Sequence, residues 1–233
     1  MNRMVDVGSS VVSTLLRGGA GVQAGSLGAG PQKTLELYDF ENCPFCRKVR
    51  EALTDLDLDA KIYPCPKGGE RYRPALQKRG GKALFPYLVD PNTGDEMYES
   101  DDIIAHLYRH YGEGPPPAVL RLGPLTSLSS AMASAARGGA AVGTRVEPSQ
   151  PPHAPLELWS FEASPFCRLV REKLCTLEIP YVLHNVGKGS PSRDDFVKRS
   201  GHMQVPWLVD PNTATELFES ADIVAYLDTT YGA

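Results

Sequence analysis

The stretch LELYDFENCPFCRKVREALTDL, from Leu35, returns as LELWSFEASPFCRLVREKLCTL, from Leu156, an offset of 121 positions. A second block, FPYLVDPNTGDEMYESDDIIAHLYRHYG from Phe85, returns from Val205 as VPWLVDPNTATELFESADIVAYLDTTYG at an offset of 120. One residue is therefore lost between the blocks, most simply in the loop after Lys67. VVSTLLRGGAGV from Val11 is mirrored by AMASAARGGAAV from Ala131. A repeat this long means one structural unit built twice, and a fold that cannot be repeated in 233 residues is excluded.

Each copy carries the same periodicities. A short alternating strand (Leu35–Asp39; Leu156–Ser160) runs into a turn that ends at Cys43 or Ser164. Pro44 and Pro165 then occupy a first helical position, where a missing N–H is harmless. Phe45, Val49, Leu53 and Leu56, matched by Phe166, Val170, Leu174 and Leu177, keep a helical spacing. A second strand is expected over 60–63 and 181–184. A short basic helix ends near Lys78-Arg79 or Lys198-Arg199, and a hairpin turns at Pro91-Asn92-Thr93-Gly94. A closing helix begins at Ser100 or Ser220, each read as its N-cap. The order β-α-β-α-β-β-α is α/β, a thioredoxin-like layout present in tandem. Residues 1–32 form a leading helix and loop, with Val11, Val12, Leu15 and Leu16 on one side. The first unit covers 33–112, and 113–153 is a Pro/Gly/Ala-rich linker with one helix over 128–137. The second unit covers 154–233.

The bulk numbers exclude several partners. With 42% hydrophobic residues, 22% charged and a formal net charge of −4, the chain gives no reason to expect nucleic acid or an anionic membrane. No apolar run approaches the roughly 18 residues of a membrane span, and the N-terminus lacks a secretory cleavage pattern. Five cysteines, Cys43, Cys46, Cys65, Cys167 and Cys175, are too few and too unevenly placed for a disulfide framework. They fit an intracellular, reducing compartment in which any disulfide is catalytic. Zinc needs a second close ligand pair. His106, His110, His153, His184 and His202 form no partner set and have no counterparts in the other copy, so no metal ligand is assigned.

CPFC after a strand, Phe85-Pro86 or Val205-Pro206 before the third strand, and the ESxDI motif at the last helix resemble the N-terminal domain of glutathione transferases and the glutaredoxins. The likeness covers both copies. The chain is also similar to the glutaredoxin-like domain of the membrane-associated prostaglandin E synthase of the second type, and to tandem proteins of plants, algae and cyanobacteria. That last likeness implies a chloroplast, with the cytoplasm as the alternative. The resemblance implies glutathione as ligand or co-substrate. Pro86 and Pro206 would be cis-prolines, their preceding residues Phe85 and Val205 pairing with the tripeptide backbone. Glu99-Ser100 and Glu219-Ser220 would hold its γ-glutamyl end, with Phe45 and Phe166 beside it.

Cys43 lies at a helix start, where unpaired N–H groups and the dipole favour a thiolate, and Arg47 one turn on would add positive charge. Cys46 is placed to resolve a mixed disulfide. Ser164 can hydrogen-bond a glutathione thiolate but cannot form a mixed disulfide. Three functions remain open. The first is a glutathione-dependent thiol–disulfide oxidoreductase acting through Cys43 and Cys46 on protein disulfides or glutathionylated proteins, the second copy binding glutathione or serving as scaffold. The second is a transferase or isomerase that stabilises the glutathione thiol with Cys43 or Ser164. The third is a non-catalytic module for glutathione, an iron–sulfur cluster or a protein. The spacing does not fix the oligomeric state, or whether the copies face each other.

Overall fold

The computed structural model describes residues 20–121 and 145–233. The helices expected near 11–16 and over 128–137 lie outside these residues. In the first copy the elements are β1 (Leu35–Asp39), α1 (Pro44–Asp55), β2 (Ala60–Pro64), α2 (Arg73–Gly80), β3 (Tyr87–Asp90), β4 (Asp95–Met97) and α3 (Ser100–Tyr111). A single turn, α4 (Ala118–Arg121), follows. The second copy repeats the order as β5 (Leu156–Ser160), α5 (Pro165–Thr176), β6 (Tyr181–Asn185), α6 (Ser192–Ser200), β7 (Trp207–Asp210), β8 (Thr215–Leu217) and α7 (Ser220–Tyr231). Both copies thus adopt the thioredoxin-like layout that their patterns imply.

The copies meet edge to edge. One eight-stranded sheet runs β4-β3-β1-β2-β6-β5-β7-β8. Within each copy the first two strands are parallel and the hairpin strand is antiparallel. The seam is the antiparallel pair β2·β6, with Ala60 opposite Leu183, Lys61 opposite Val182 and Ile62 opposite Tyr181. Pairing β2 with β6 covers two strands that would otherwise be edges. The two remaining edges, β4 and β8, are three residues each, too short to template further pairing.

Alternation in the strands sorts the layers. Leu35 and Leu37 of β1, with Leu156 and Leu158 of β5, join Val49, Leu53, Ile103, Leu107, Val170, Leu174, Ile223 and Leu227 in one core that runs across the seam under α1, α3, α5 and α7. Fully burying each such aliphatic side chain is worth roughly 1.5–3 kcal/mol. The opposite face is covered by α2, where Leu76 packs on Tyr87 and Val89, and by α6, where Phe196 packs on Trp159 and Trp207. No described helix is long and apolar enough to cross a membrane.

The segment ahead of each copy crosses to the other. Ala24 N–H donates to Lys188 O at 2.8 Å and Lys188 N–H to Val22 O at 2.9 Å. Reciprocally, Val146 N–H donates to Lys67 O at 3.2 Å. Each hairpin is tied to its closing helix by a buried aspartate. Asp90 accepts from Tyr111 Oη at 2.6 Å and from His106 Nε2 at 2.8 Å. Asp210 accepts from Tyr226 Oη at 2.7 Å and from Tyr231 Oη.

One local expectation is corrected. Ser100 and Ser220 are the first helical residues, not caps. The N-cap positions belong to Glu99 and Glu219, and neither makes a side-chain capping bond. The serine hydroxyls are left for other partners because the chain enters the helix one residue earlier than the sequence preference for Ser suggests.

Candidate functional site

Cys43 is the N-cap of α1, with an extended backbone at φ −76° and ψ 121°, and Pro44 begins the helix. Its Sγ accepts from Cys46 N–H at 3.3 Å. Ser164 does the same for α5, its Oγ accepting from Cys167 N–H at 3.3 Å. Cysteine and serine therefore make one and the same cap in the two copies, and only the first supplies a nucleophilic sulfur. Cys43 is 4% exposed and Cys46 is fully buried. The Cys46 side chain, then the N–H groups of Cys46 and Phe45, hold the Cys43 thiol below its ordinary value against the opposing effect of burial. Burial, then hydrogen bonding to and charge on Cys43, push Cys46 well above its own. The two sulfurs are thus pushed apart, Cys43 downward and Cys46 upward.

Arg47 does not serve Cys43. It is 4% exposed and turned to the seam, its Nε 3.6 Å from both Glu51 and Glu162. The guanidinium that bears on Cys43 is that of Arg50. Phe85-Pro86 and Val205-Pro206 are both cis. Phe45 and Phe166 project from the first turns of α1 and α5, 46% and 42% exposed. Phe85 lies under the Arg73 guanidinium at 4.6 Å, which also reaches the Phe40 ring at 5.9 Å. Arg73 is anchored by donating Nε–H to Cys65 O at 3.0 Å and Pro66 O at 2.6 Å.

The two Glu-Ser pairs differ. Glu99 has φ 64° and ψ 116°, whereas Glu219 is relaxed at φ −77° and ψ 126°. Positive φ on a side-chain-bearing residue outside the usual left-handed region is strained, and such strain gathers at ligand sites. Gln204 Nε2 donates to Glu219 at 2.8 Å, and its counterpart in the first copy is Leu84. Ser220 Oγ is buried with no hydrogen-bond partner among the described residues, at the start of α7, where free N–H groups attract an anion.

Several residues here escaped the sequence reading. Lys48, with no exposed surface, ion-pairs with Asp101 in the first turn of α3. Leu169 and Ala221 stand at the equivalent places, so both partners change together between the copies, a signal visible on aligning them. Behind the cysteines a buried charge network crosses the seam. Arg50 Nε donates to Glu162 at 2.9 Å and also pairs with Asp39 and Glu41. Arg171 Nη2 reaches Glu41 at 3.0 Å and Glu162 at 2.9 Å. Cys65 and Cys175 are buried packing residues in which burial raises the thiol. His106 and His110, for which the sequence pattern offers no partner set, meet with ring centres 4.5 Å apart.

Two thioredoxin-like units share one sheet, one with Cys43 and Cys46 at its helix start and the other with Ser164 and Cys167 in the same places. The chain belongs to the family described as glutathione S-transferase, N-terminal domain, whose model matches residues 37–116 and again 158–233. No curated protein sequence matches the chain. Among solved structures, the Bombyx mori glutathione transferase BmGSTD1 is 26% identical over 37% of this chain and 39% of its own, with a TM-score of 0.33. Leishmania TDR1, a trimeric glutathione transferase, is 15% identical over 84% of this chain and 68% of its own, with a TM-score of 0.29. The chain spans about two fifths of the Bombyx mori enzyme's length.

Proposed function

We propose that the chain is a glutathione-dependent thiol–disulfide oxidoreductase of glutaredoxin type, with Cys43 as nucleophile. The observation that carries this is the unequal sulfur pair: Cys43 favoured as thiolate at a helix start, Cys46 kept protonated beneath it. The Cys43 thiolate attacks one sulfur of a disulfide or glutathionylated cysteine, forming a mixed disulfide and expelling the other sulfur as a thiolate that takes up a proton. Cys46 then loses its proton and attacks Cys43 Sγ, releasing the second thiol and leaving a Cys43–Cys46 disulfide. Two glutathione thiols reduce that bond and leave as glutathione disulfide, which closes the electron balance.

Glutathione sits, in this reading, with its γ-glutamyl carboxylate at Ser100 and its ammonium group at Glu99. Phe45 flanks it, and the backbone of Phe85 pairs with its cysteinyl unit. The second copy holds glutathione without reacting. The unpartnered, buried Ser220 Oγ supports that role, with Ser164 able to donate a hydrogen bond to a thiolate it cannot attack.

Reduction of a glutathione–peptide mixed disulfide, driven by reduced glutathione, tests the proposal. Cys43→Ser should abolish turnover and Ser164→Ala should leave it unchanged; persistence of the rate in Cys43→Ser overturns the mechanism. Calorimetry of glutathione binding to Cys43→Ser should show two sites, one of which weakens about tenfold on adding Ser220→Ala, the size expected for a lost hydrogen bond to a charged group. Unchanged affinity removes the second copy as a binding site.

A further inference from the structure

In the second half of α3, His106 and His110 stand one turn apart on the same face, and Asp95 of β4 closes on them from the hairpin. One nitrogen from each histidine and one Asp95 oxygen lie within 4.8 Å of one another. His106 is held in place: its Nε2 is 2.8 Å from Asp90 Oδ2, leaving Nδ1 to face Asp95 Oδ2 at 3.8 Å. Asp90 already accepts from Tyr111 Oη, so the proton between Asp90 and His106 sits on the ring. Nδ1 is thus the ring nitrogen on the Asp95 side, where it can serve as a ligand atom. This is the carboxylate–histidine arrangement that orients a metal-binding imidazole.

We propose that Asp95, His106 and His110 form a binding site for a zinc-class divalent cation, with Asp90 fixing the His106 tautomer. Two imidazoles and one carboxylate suit zinc better than calcium or magnesium, which take oxygen ligands. Around zinc, with bonds near 2.0–2.1 Å, tetrahedral ligand atoms are separated by about 3.3 Å. The Asp95–His106 separation is already near that value, and the Asp95 side chain, 54% exposed, is free to make up the rest. His110 is exposed and can rotate toward the same point. The fourth position is open to water.

The second copy argues that this grouping is not needed for folding. There Tyr226 stands for His106 and satisfies Asp210 at 2.7 Å, while Thr215 and Thr230 replace Asp95 and His110. The same hairpin-to-helix tie is thus built without any metal-ligating nitrogen. Copy one alone carries the set, and an ion there would clip β4 to the helix whose first turn bears Glu99-Ser100.

The test uses the intact, tag-free, chelator-treated chain titrated with Zn²⁺ by calorimetry and with Co²⁺ by visible absorption. One equivalent should bind at this site, raising the melting temperature, with cobalt d–d bands. His110→Ala, a surface change, and His106→Tyr, which installs the residue the second copy uses, should each weaken affinity at least tenfold and remove the melting shift. Circular dichroism checks that both variants fold. The proposal is overturned by absence of saturable binding, or by an affinity unchanged in both variants, which would place the ion elsewhere, such as on the cysteines.

Discussion

Glu162→Gln removes one negative charge from the centre of the seam while keeping the side chain's size. Glu162 is 3% exposed, accepts from Arg50 Nε at 2.9 Å and forms an ion pair with Arg171 at 2.9 Å. Burial alone would raise its carboxyl. Arg171, then Arg50, Arg168 and Arg47, override that and bring it from 4.5 down to about 2. At 1.36 kcal/mol per pKa unit, that depression corresponds to roughly 3 kcal/mol of preference for the charged form. Breaking a buried ion pair by removing one partner costs about 3–5 kcal/mol, which agrees. Urea unfolding at pH 7 should therefore show Glu162→Gln less stable than the parent by roughly 3 kcal/mol. Because the folded value is the lower one, the contribution is complete above about pH 4.5 and is lost as pH falls through about 2. The difference between parent and variant should shrink over that window. A loss under about 1 kcal/mol at pH 7, or a difference that ignores pH below 4, would refute the placement of this acid between the two arginines.

Three other substitutions probe separate parts of the molecule. Cys43→Ser should change stability by less than about 1 kcal/mol in urea unfolding, because Ser164 makes the same cap at the same 3.3 Å; a loss above 2 kcal/mol would mean that the sulfur is needed for packing. Asp39 is pushed up to about 6, by burial first and despite Arg50, so its ionisation penalises the fold as pH rises from about 4 through 6. Asp39→Ser, which installs the residue found at Ser160, should gain on the parent by roughly 3 kcal/mol across that rise, and a parallel pH dependence of the two would refute it. Gly28→Ala places a Cβ 2.6 Å from Tyr111 O, a backbone atom with little room to yield. It should cost about 1–3 kcal/mol, and a neutral result in thermal unfolding would displace the leading segment from its position against α3.

The elements were legible because each is specified locally. Leu35 and Leu37 alternate, Val49 and Leu53 keep a helical period, and Pro91-Asn92-Thr93-Gly94 makes a turn wherever it stands. Ser100 misled because preference for Ser at a cap is an average, and here the strained Glu99 takes the cap position instead. Arg47 misled for a different reason. Spacing along a helix puts it near Cys43, but a charge 4% exposed goes where its counterions are, and those lie across the seam on Glu162. The network itself could not be read at all. Glu41 and Arg50 are repeated identically as Glu162 and Arg171, so aligning the copies shows that both are kept without showing whether each arginine pairs within its own copy or with the other. His106 and His110 were passed over because neither recurs in the second copy; the partner that matters is Asp95, on another element.

The seam has approximate two-fold symmetry, and its centre decides which copies can pair. Ala60, Lys61 and Ile62 correspond by sequence to Tyr181, Val182 and Leu183, and the observed register sets Ala60 on Leu183, Lys61 on Val182 and Ile62 on Tyr181. The axis therefore passes between Lys61 and Val182, both half-buried. Each copy carries an arginine and a glutamate able to complement another copy of itself, so charge at the network does not forbid self-pairing. The central strand position does discriminate. Two first copies would set Lys61 against Lys61, a like-charge cross-strand pair costing up to about 1 kcal/mol, whereas two second copies would set valine on valine. Only the mixed seam has Thr54 Oγ1 bonded to Asn185 Oδ1, at 2.9 Å, because Cys175 and Pro64 stand at the equivalent places in the other copy. Expressed separately, residues 154–233 should therefore dimerise more tightly than residues 33–112, and a mixture should prefer the heterodimer by sedimentation. In the intact chain Val182→Lys should recreate the like-charge pair and cost up to about 1 kcal/mol, recovered by Lys61→Val in the same chain. Equal self-association of the two pieces, together with a Val182→Lys chain as stable as the parent, would show that the seam is chosen by the buried charges and not by the strands.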